Sequence, residues 1–279
     1  MKKIYTSLFL TGSLLAAQSQ IIISGFLGNP ASTDSPYEYV QLVATADINF
    51  ATTPMAVVFA QNGTATASGW VAGGTLTYEM SLTSGSVSAG QTFYVGGSGK
   101  LINGSGSTDI SGQTWIRAIN TATTTGDLFG TAQSGGVVGN GGSNADGIGI
   151  FNSITLSASS VPIDAVFYGS AVASAFVSSS SGYTLPSNDL YSGGYLQTSS
   201  HILSDPGSAQ FESLTGTYDA GLGTWTTSRT STLISLTSSS SLSAIAPQIT
   251  IVPAPEPTTL ALAGLGLTAL FGFRRNQKA

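Results

Sequence analysis

Along residues 21–250 apolar positions fall in short runs rich in Ile, Val, Leu, Phe and Tyr, separated by clusters of Gly, Ser, Asn and Thr. Long stretches of helical 3.6-residue periodicity are missing. Short runs bounded by turn residues every ten or so positions are the pattern of an all-β sandwich or barrel. They predict strands over residues 21–26, 37–43, 55–60, 75–83, 91–95, 114–119, 148–151, 163–168, 210–214, 223–229 and 232–236. The clearest is 75–83, where Leu76, Tyr78, Met80 and Leu82 alternate with Thr77, Glu79 and Ser81. Successive strand side chains point to opposite faces, so the first set should be buried and the second wet. Ser84-Gly85-Ser86 should then turn the chain into a partner strand at 91–95.

Composition narrows the class. Charged residues make up 8% of the 279 positions, against about 25% in ordinary soluble domains, so Ser and Thr are expected to solvate the outer strand faces. Setting aside Lys2, Lys3, Arg274, Arg275, Lys278 and Glu256 at the ends leaves three bases (Lys100, Arg117 and Arg229) and twelve acids. Such a body repels phosphate backbones, which excludes nucleic acid as a partner. Without cysteine there is neither a disulfide nor a thiolate metal site.

The two ends carry their own patterns. Residues 1–20 have a basic start at Lys2 and Lys3, an apolar run through Leu8, Leu10, Leu14 and Leu15, and small residues at Ala16, Ala17 and Ser19. That is the three-part form of a secretory signal peptide, which implies passage through the Sec export machinery. At the other end, Pro253, Pro255, Glu256 and Pro257 break the chain, residues 258–273 carry no charge, and Arg274, Arg275 and Lys278 follow. A hydrophobic helix is expected there. It is short for a crossing, which wants about 20 apolar residues, and its basic flank favours the cytoplasmic side.

Pro255-Glu256-Pro257, the Gly-containing apolar stretch and the Arg274-Arg275 cluster resemble the PEP-CTERM sorting signal. The resemblance implies a chain held transiently in the inner membrane of a Gram-negative bacterium and cut by an exosortase. It further implies delivery to the outer surface or the extracellular space, often in association with extracellular polysaccharide. A permanent membrane anchor is the plain alternative.

The first part of the body has a second resemblance. Ile21-Ile22-Ile23-Ser24 leads through Asn29-Pro30 to Tyr37-Glu38-Tyr39-Val40-Gln41-Leu42, which resembles the opening of a lamin-tail domain, an immunoglobulin-like β-sandwich. Ser88 to Val95, Asp146 to Phe151 and Pro162 to Gly169 resemble that family's later strands. Gly25 and Gln41 depart from the family pattern, which carries acidic residues there. The expected organisation is a signal peptide at 1–20, a lamin-tail-like sandwich at 21–170, additional strands or a Ser-rich extension at 171–250, and the sorting signal at 251–279. In 171–250 the aromatic residues Tyr191, Phe211, Tyr218 and Trp225 supply apolar surface for packing, against Ser runs at 178–181 and 238–241.

Catalytic patterns are sparse. His201 is the one histidine, and no Gly-x-Ser-x-Gly frame accompanies it, so neither a triad nor a three-histidine zinc site is expected. The acids Asp47, Glu79, Asp109, Asp127, Asp164 and Asp189 are scattered singly, whereas a glycosidase needs two facing each other. Asp34 and Glu38 are a candidate oxygen pair for Ca2+, or else read as a turn acid and a solvent-face strand residue. The loop at 140–147, with Asp146, has oxygen ligands that would suit Ca2+, or else forms an Asn/Gly turn with Asp146 capping amides. Asn62-Gly63-Thr64 and Asn103-Gly104-Ser105 fit the N-glycosylation pattern. Trp70, Trp115 and Trp225, with Tyr191 and Tyr195, are candidates for stacking on sugar faces if exposed, and core residues if not. A non-enzymatic, exported envelope or extracellular-matrix protein without a cofactor is therefore expected. The alternatives are a carbohydrate- or surface-binding module, and a hydrolase with a dispersed carboxylate pair.

Overall fold

The structure is a computed structural model and describes residues 21–60, 69–71, 77–119, 138–139, 145–169, 183–186 and 206–255. In chain order its strands are β1 (Ile21–Leu27), β2 (Tyr39–Ala44), β3 (Ile48–Asn49), β4 (Met55–Ala60), β5 (Thr77–Leu82), β6 (Ser86–Val87) and β7 (Thr92–Gly97). They continue with β8 (Trp115–Ile119), β9 (Asp146–Phe151), β10 (Asp164–Tyr168), β11 (Gln210–Asp219), β12 (Thr224–Trp225), β13 (Thr230–Ser235) and β14 (Gln248–Val252). A 3-10 turn spans Leu242–Ile245. Among these residues no helix is long and apolar enough to cross a membrane, and the expected helix at 258–273 lies outside them, as do residues 1–20.

Two sheets make a sandwich-like stack. The larger runs β12-β11-β1-β2-β7-β8, with β13 and β14 also on β11, and the smaller runs β10-β9-β4-β5. Strand β11 is long enough to hold two neighbours on each edge. Residues 211–213 pair with β1 on one side and β13 on the other. Thr215 pairs with both Thr230 of β13 and Gln248 of β14, so β14 continues the β1 edge and the β12 hairpin continues the β13 edge. The described strands after residue 206 thus belong to the same sheet as the first strand.

The main core lies between the sheets. Ile21, Ile23, Phe26, Val40, Leu42, Phe93 and Val95 meet Val57, Phe59, Tyr78, Met80, Ile148, Ile150 and Val166 there. The phase of β1 slips by one residue at Ser24, where its register against β2 shifts between Ile23 and Gly25. A bulge of this kind lets Ile21 and Ile23 face inward and Phe26 follow them, three positions on instead of two.

Three sequence expectations change. The outer faces are only partly clothed in Ser and Thr: Thr230, Thr232 and Ser235 of β13 and Thr250 of β14 are exposed, but Ala56, Val58, Trp70, Phe151 and Phe167 cover the back of the smaller sheet with Tyr183, and Leu27, Tyr39, Tyr94, Phe211 and Ile245 cover much of the back of the larger. Strands buried on both faces read as continuous apolar runs, which is why β1, β2 and β4 are buried along their whole length. Thr77 and Glu79 of β5 are likewise buried instead of wet. Finally, β5 does not pair with the strand at 92–97. It pairs with β4, and β7 pairs with β2 and β8, so the turn at Gly85 carries the chain between sheets. Met80 and Phe93 then enter the same core from different sheets.

Candidate functional site

The last strand sets the geometry of the C-terminal exit. In β14, Ile249 and Ile251 are half-buried while Gln248, Thr250 and Val252 are exposed. The two isoleucines pack on the cluster of Ile22, Val43, Tyr218 and Trp225. Val252 is the last paired residue, opposite Asp219, and its carbonyl accepts from the Ala220 amide at 2.9 Å. At that point β11 turns into β12. The Asp219 carboxylate accepts from the Gly221 and Leu222 amides at 2.8 and 2.9 Å, so the acid is spent on closing the turn. Pro255 then lies against this turn: a Cβ on Gly221 would come within 3.1 Å of Pro255 Cδ. Proline at 253 and 255 cannot donate to a ladder, which ends the sheet there.

Residues 253–276 match the family model of the PEP-CTERM protein-sorting motif. The tail is a PEP-CTERM signal. Searches of curated proteins and of solved structures found no match for the chain. The motif implies an exported protein sorted through an exosortase to the surface of a Gram-negative cell. It begins at Pro253, one residue beyond the last ladder pair, so no linker separates the PEP-CTERM signal from the folded body. Pro255 is described; Glu256, Pro257, Arg274 and Arg275 lie outside the described residues. The sequence pattern missed β14, although Ile249 and Ile251 between Gln248, Thr250 and Val252 carry a period of two.

The aromatic candidates separate. Trp70 and Trp225 are 2% and 0% exposed, so neither has a face for a sugar, which corrects both as stacking platforms. Trp70 sits between Phe151, Phe167 and Tyr183, and its indole donates to the Thr184 carbonyl. Trp115 on β8 is half-buried. Its ring stacks on Tyr94 with centroids 5.3 Å apart, and the Lys100 ammonium lies 5.7 Å from it. Tyr191 and Tyr195 lie outside the described residues.

Several of the acids among the described residues are structural. Asp164 is fully buried and its two oxygens accept from Arg229, from the Trp225 indole and from the Ile23 amide. Glu38 is not a solvent-face residue: it is 2% exposed and accepts from the Val138 amide at 3.1 Å. Asp146 opens β9 and is buried. Asp47 accepts from the Ala89 amide beside an open groove of about 460 Å3 lined by Asn49, Thr52, Ser86 and Ser88. Burial raises the Asp34 carboxyl above its ordinary value, and the Ser111 hydroxyl and amide lower Asp109. Among the described residues no three metal-binding side chains cluster. Asn103 is buried and committed, with its amide donating to the Leu236 carbonyl and its oxygen accepting from Ala31. Its side chain is thus not presented to solvent in the folded protein. His201, Asp127, Asp189 and Asn62 fall outside the described residues.

Proposed function

We propose that the protein is a non-enzymatic component of the envelope or extracellular matrix, and that its β-sandwich is the part displayed after the tail is processed. The observation that carries this reading is the junction: the sheet ends at Val252 and the sorting motif starts at Pro253. A leader at 1–20 starts export, the charge-free stretch at 258–273 halts the chain in the inner membrane, and exosortase releases the body. Residues 21–170 are on this reading a lamin-tail-like, immunoglobulin-like sandwich, supported by the four motifs in order and by their placement on β1, β2, β7, β9 and β10. Asp164, Glu38 and Glu79 lie in the interior and not in a cleft, which counts against a hydrolytic pair built from these three.

The test is intact-mass analysis of the protein from strains with and without the sorting enzyme. The reading expects a shorter, surface-located or released form only where the enzyme is present. The same tail mass and the same location in both strains would overturn it. A second reading, recognition of extracellular polysaccharide, rests on Trp115, which is only partly buried on an edge strand. Quenching of its fluorescence by the matrix polysaccharide, abolished in Trp115→Ala, is its expected signature.

A further inference from the structure

Three large apolar side chains stand exposed among the described residues: Val161 at 45%, Leu222 at 66% and Val252 at 42%. The strand register puts Leu222 and Val252 at one end of the sandwich, and the Asp164–Trp225 hydrogen bond brings the segment of Val161 to the same end. Leu222 is at the tip of the β11–β12 hairpin, and Val252 is paired beside the base of that tip. Val161 precedes Asp164 by three residues, and Asp164 accepts a hydrogen bond from Trp225, three residues after Leu222. The tail leaves from this same end.

We propose that this end of the sandwich, led by Leu222, rests on the lipid surface of the membrane that holds the tail before processing. The inference rests on the reading above, that residues 258–273 enter the bilayer. From Val252 to residue 258 the chain spans at most about 20 Å when fully extended, so the hairpin is held close to the headgroup layer, itself some 5–8 Å deep per leaflet. Three side chains are too few for a specific protein interface, which needs about 1,000 Å2. They suffice for contact with lipid because the tail already supplies the affinity and makes the contact effectively intramolecular. The turn is also neutral apart from Asp219, whose carboxylate is engaged by the Gly221 and Leu222 amides. At the opposite end, Ser105 is exposed in the loop after Leu101.

The absence of native cysteine makes the test direct. Tail-bearing protein from a strain lacking the sorting enzyme carries one cysteine, Leu222→Cys, Val161→Cys or Ser105→Cys, labelled with a polarity-sensitive fluorophore. It is then mixed with vesicles of phosphatidylcholine and phosphatidylglycerol, and flotation is read in parallel. The expected result is co-flotation of all three variants, with blue-shifted emission at 222 and 161 and none at 105. Co-flotation with no shift at 222 overturns this inference and leaves the anchoring reading intact. An equal shift at 105, or a shift at 222 that needs vesicles containing the sorting enzyme, overturns it in favour of general adsorption or of contact with the enzyme. Failure to float at all overturns both.

Discussion

Asp164 and Arg229 form a two-pronged ion pair inside the sandwich, with Arg229 Nη2 2.7 Å from Asp164 Oδ1 and Nη1 3.2 Å from Oδ2. Both side chains are fully shielded from solvent. Asp164 opens β10 in the smaller sheet and Arg229 follows β12 in the larger, so the pair links the two layers 65 residues apart. The Trp225 ring covers the guanidinium, 4.3 Å from its carbon. Gly216, at φ 141, leaves space for both: a Cβ there would meet Trp225 and Arg229 at 3.2–3.3 Å.

Removing one partner should cost more than removing both. Asp164→Asn or Arg229→Met is expected to lose about 3–5 kcal/mol of stability, because each strands a buried charge or its hydrogen-bond partners. The double variant should recover part of that loss. Urea unfolding of the four proteins in a double-mutant cycle measures it, and additive losses would show that the two groups are not coupled.

Gly25 is set by close approach. A Cβ there would fall 2.5 Å from the Phe211 ring and 2.6 Å from the Glu212 carbonyl, so β11 can dock on β1 only if this position has no side chain. Gly25→Ala should destabilise by about 1–3 kcal/mol through overpacking. Gly112→Ala, where nothing lies within 4 Å, should leave the melting midpoint nearly unchanged and serves as the control.

Gln41 bridges three segments. It accepts from the Ser24 hydroxyl and donates to the Tyr94 hydroxyl and to the Ile245 carbonyl, the last at 2.7 Å. Gln41→Glu restores the acid of the lamin-tail pattern but turns an ionised oxygen toward that carbonyl. A loss of about 2–4 kcal/mol at neutral pH is expected, shrinking near pH 4 as the carboxyl gains a proton and can donate again. Denaturation midpoints at the two pH values check it.

Alkaline stability should report on Tyr39. Burial, with the neighbouring Tyr94, holds its phenol well above the ordinary value, and burial raises Tyr94 as well. The unfolded chain releases these protons near pH 10 while the folded one keeps them, so stability is fully present below pH 10 and falls as pH rises beyond it. Tyr39→Phe should flatten that decline. It should also cost about 1 kcal/mol at neutral pH, since the Tyr39 hydroxyl donates to the Ile102 carbonyl.

Gly25 and Gln41 show why part of the fold was hidden. As departures from a family pattern they look like weakened resemblance, yet each is the place where a late segment docks, β11 on Gly25 and the 3-10 turn on Gln41. Their meaning depends on residues about 190–200 positions away, and no local window contains both partners. The same holds for Trp70 and Trp225, whose type is visible but whose burial depends on which segments fold over them.

The sequence by itself determined the all-β class, the position of most strands and the sorting signal at the C-terminus, because alternation, turn residues and a Pro-Glu-Pro break followed by a charge-free stretch are all local features. Only the tertiary structure decided which strands pair, that β5 and β7 lie in opposite sheets, that Asp164 meets Arg229, and that the tail leaves beside Leu222. Those outcomes follow from burying apolar surface on both faces of two sheets at once, and this depends on every segment's contacts together.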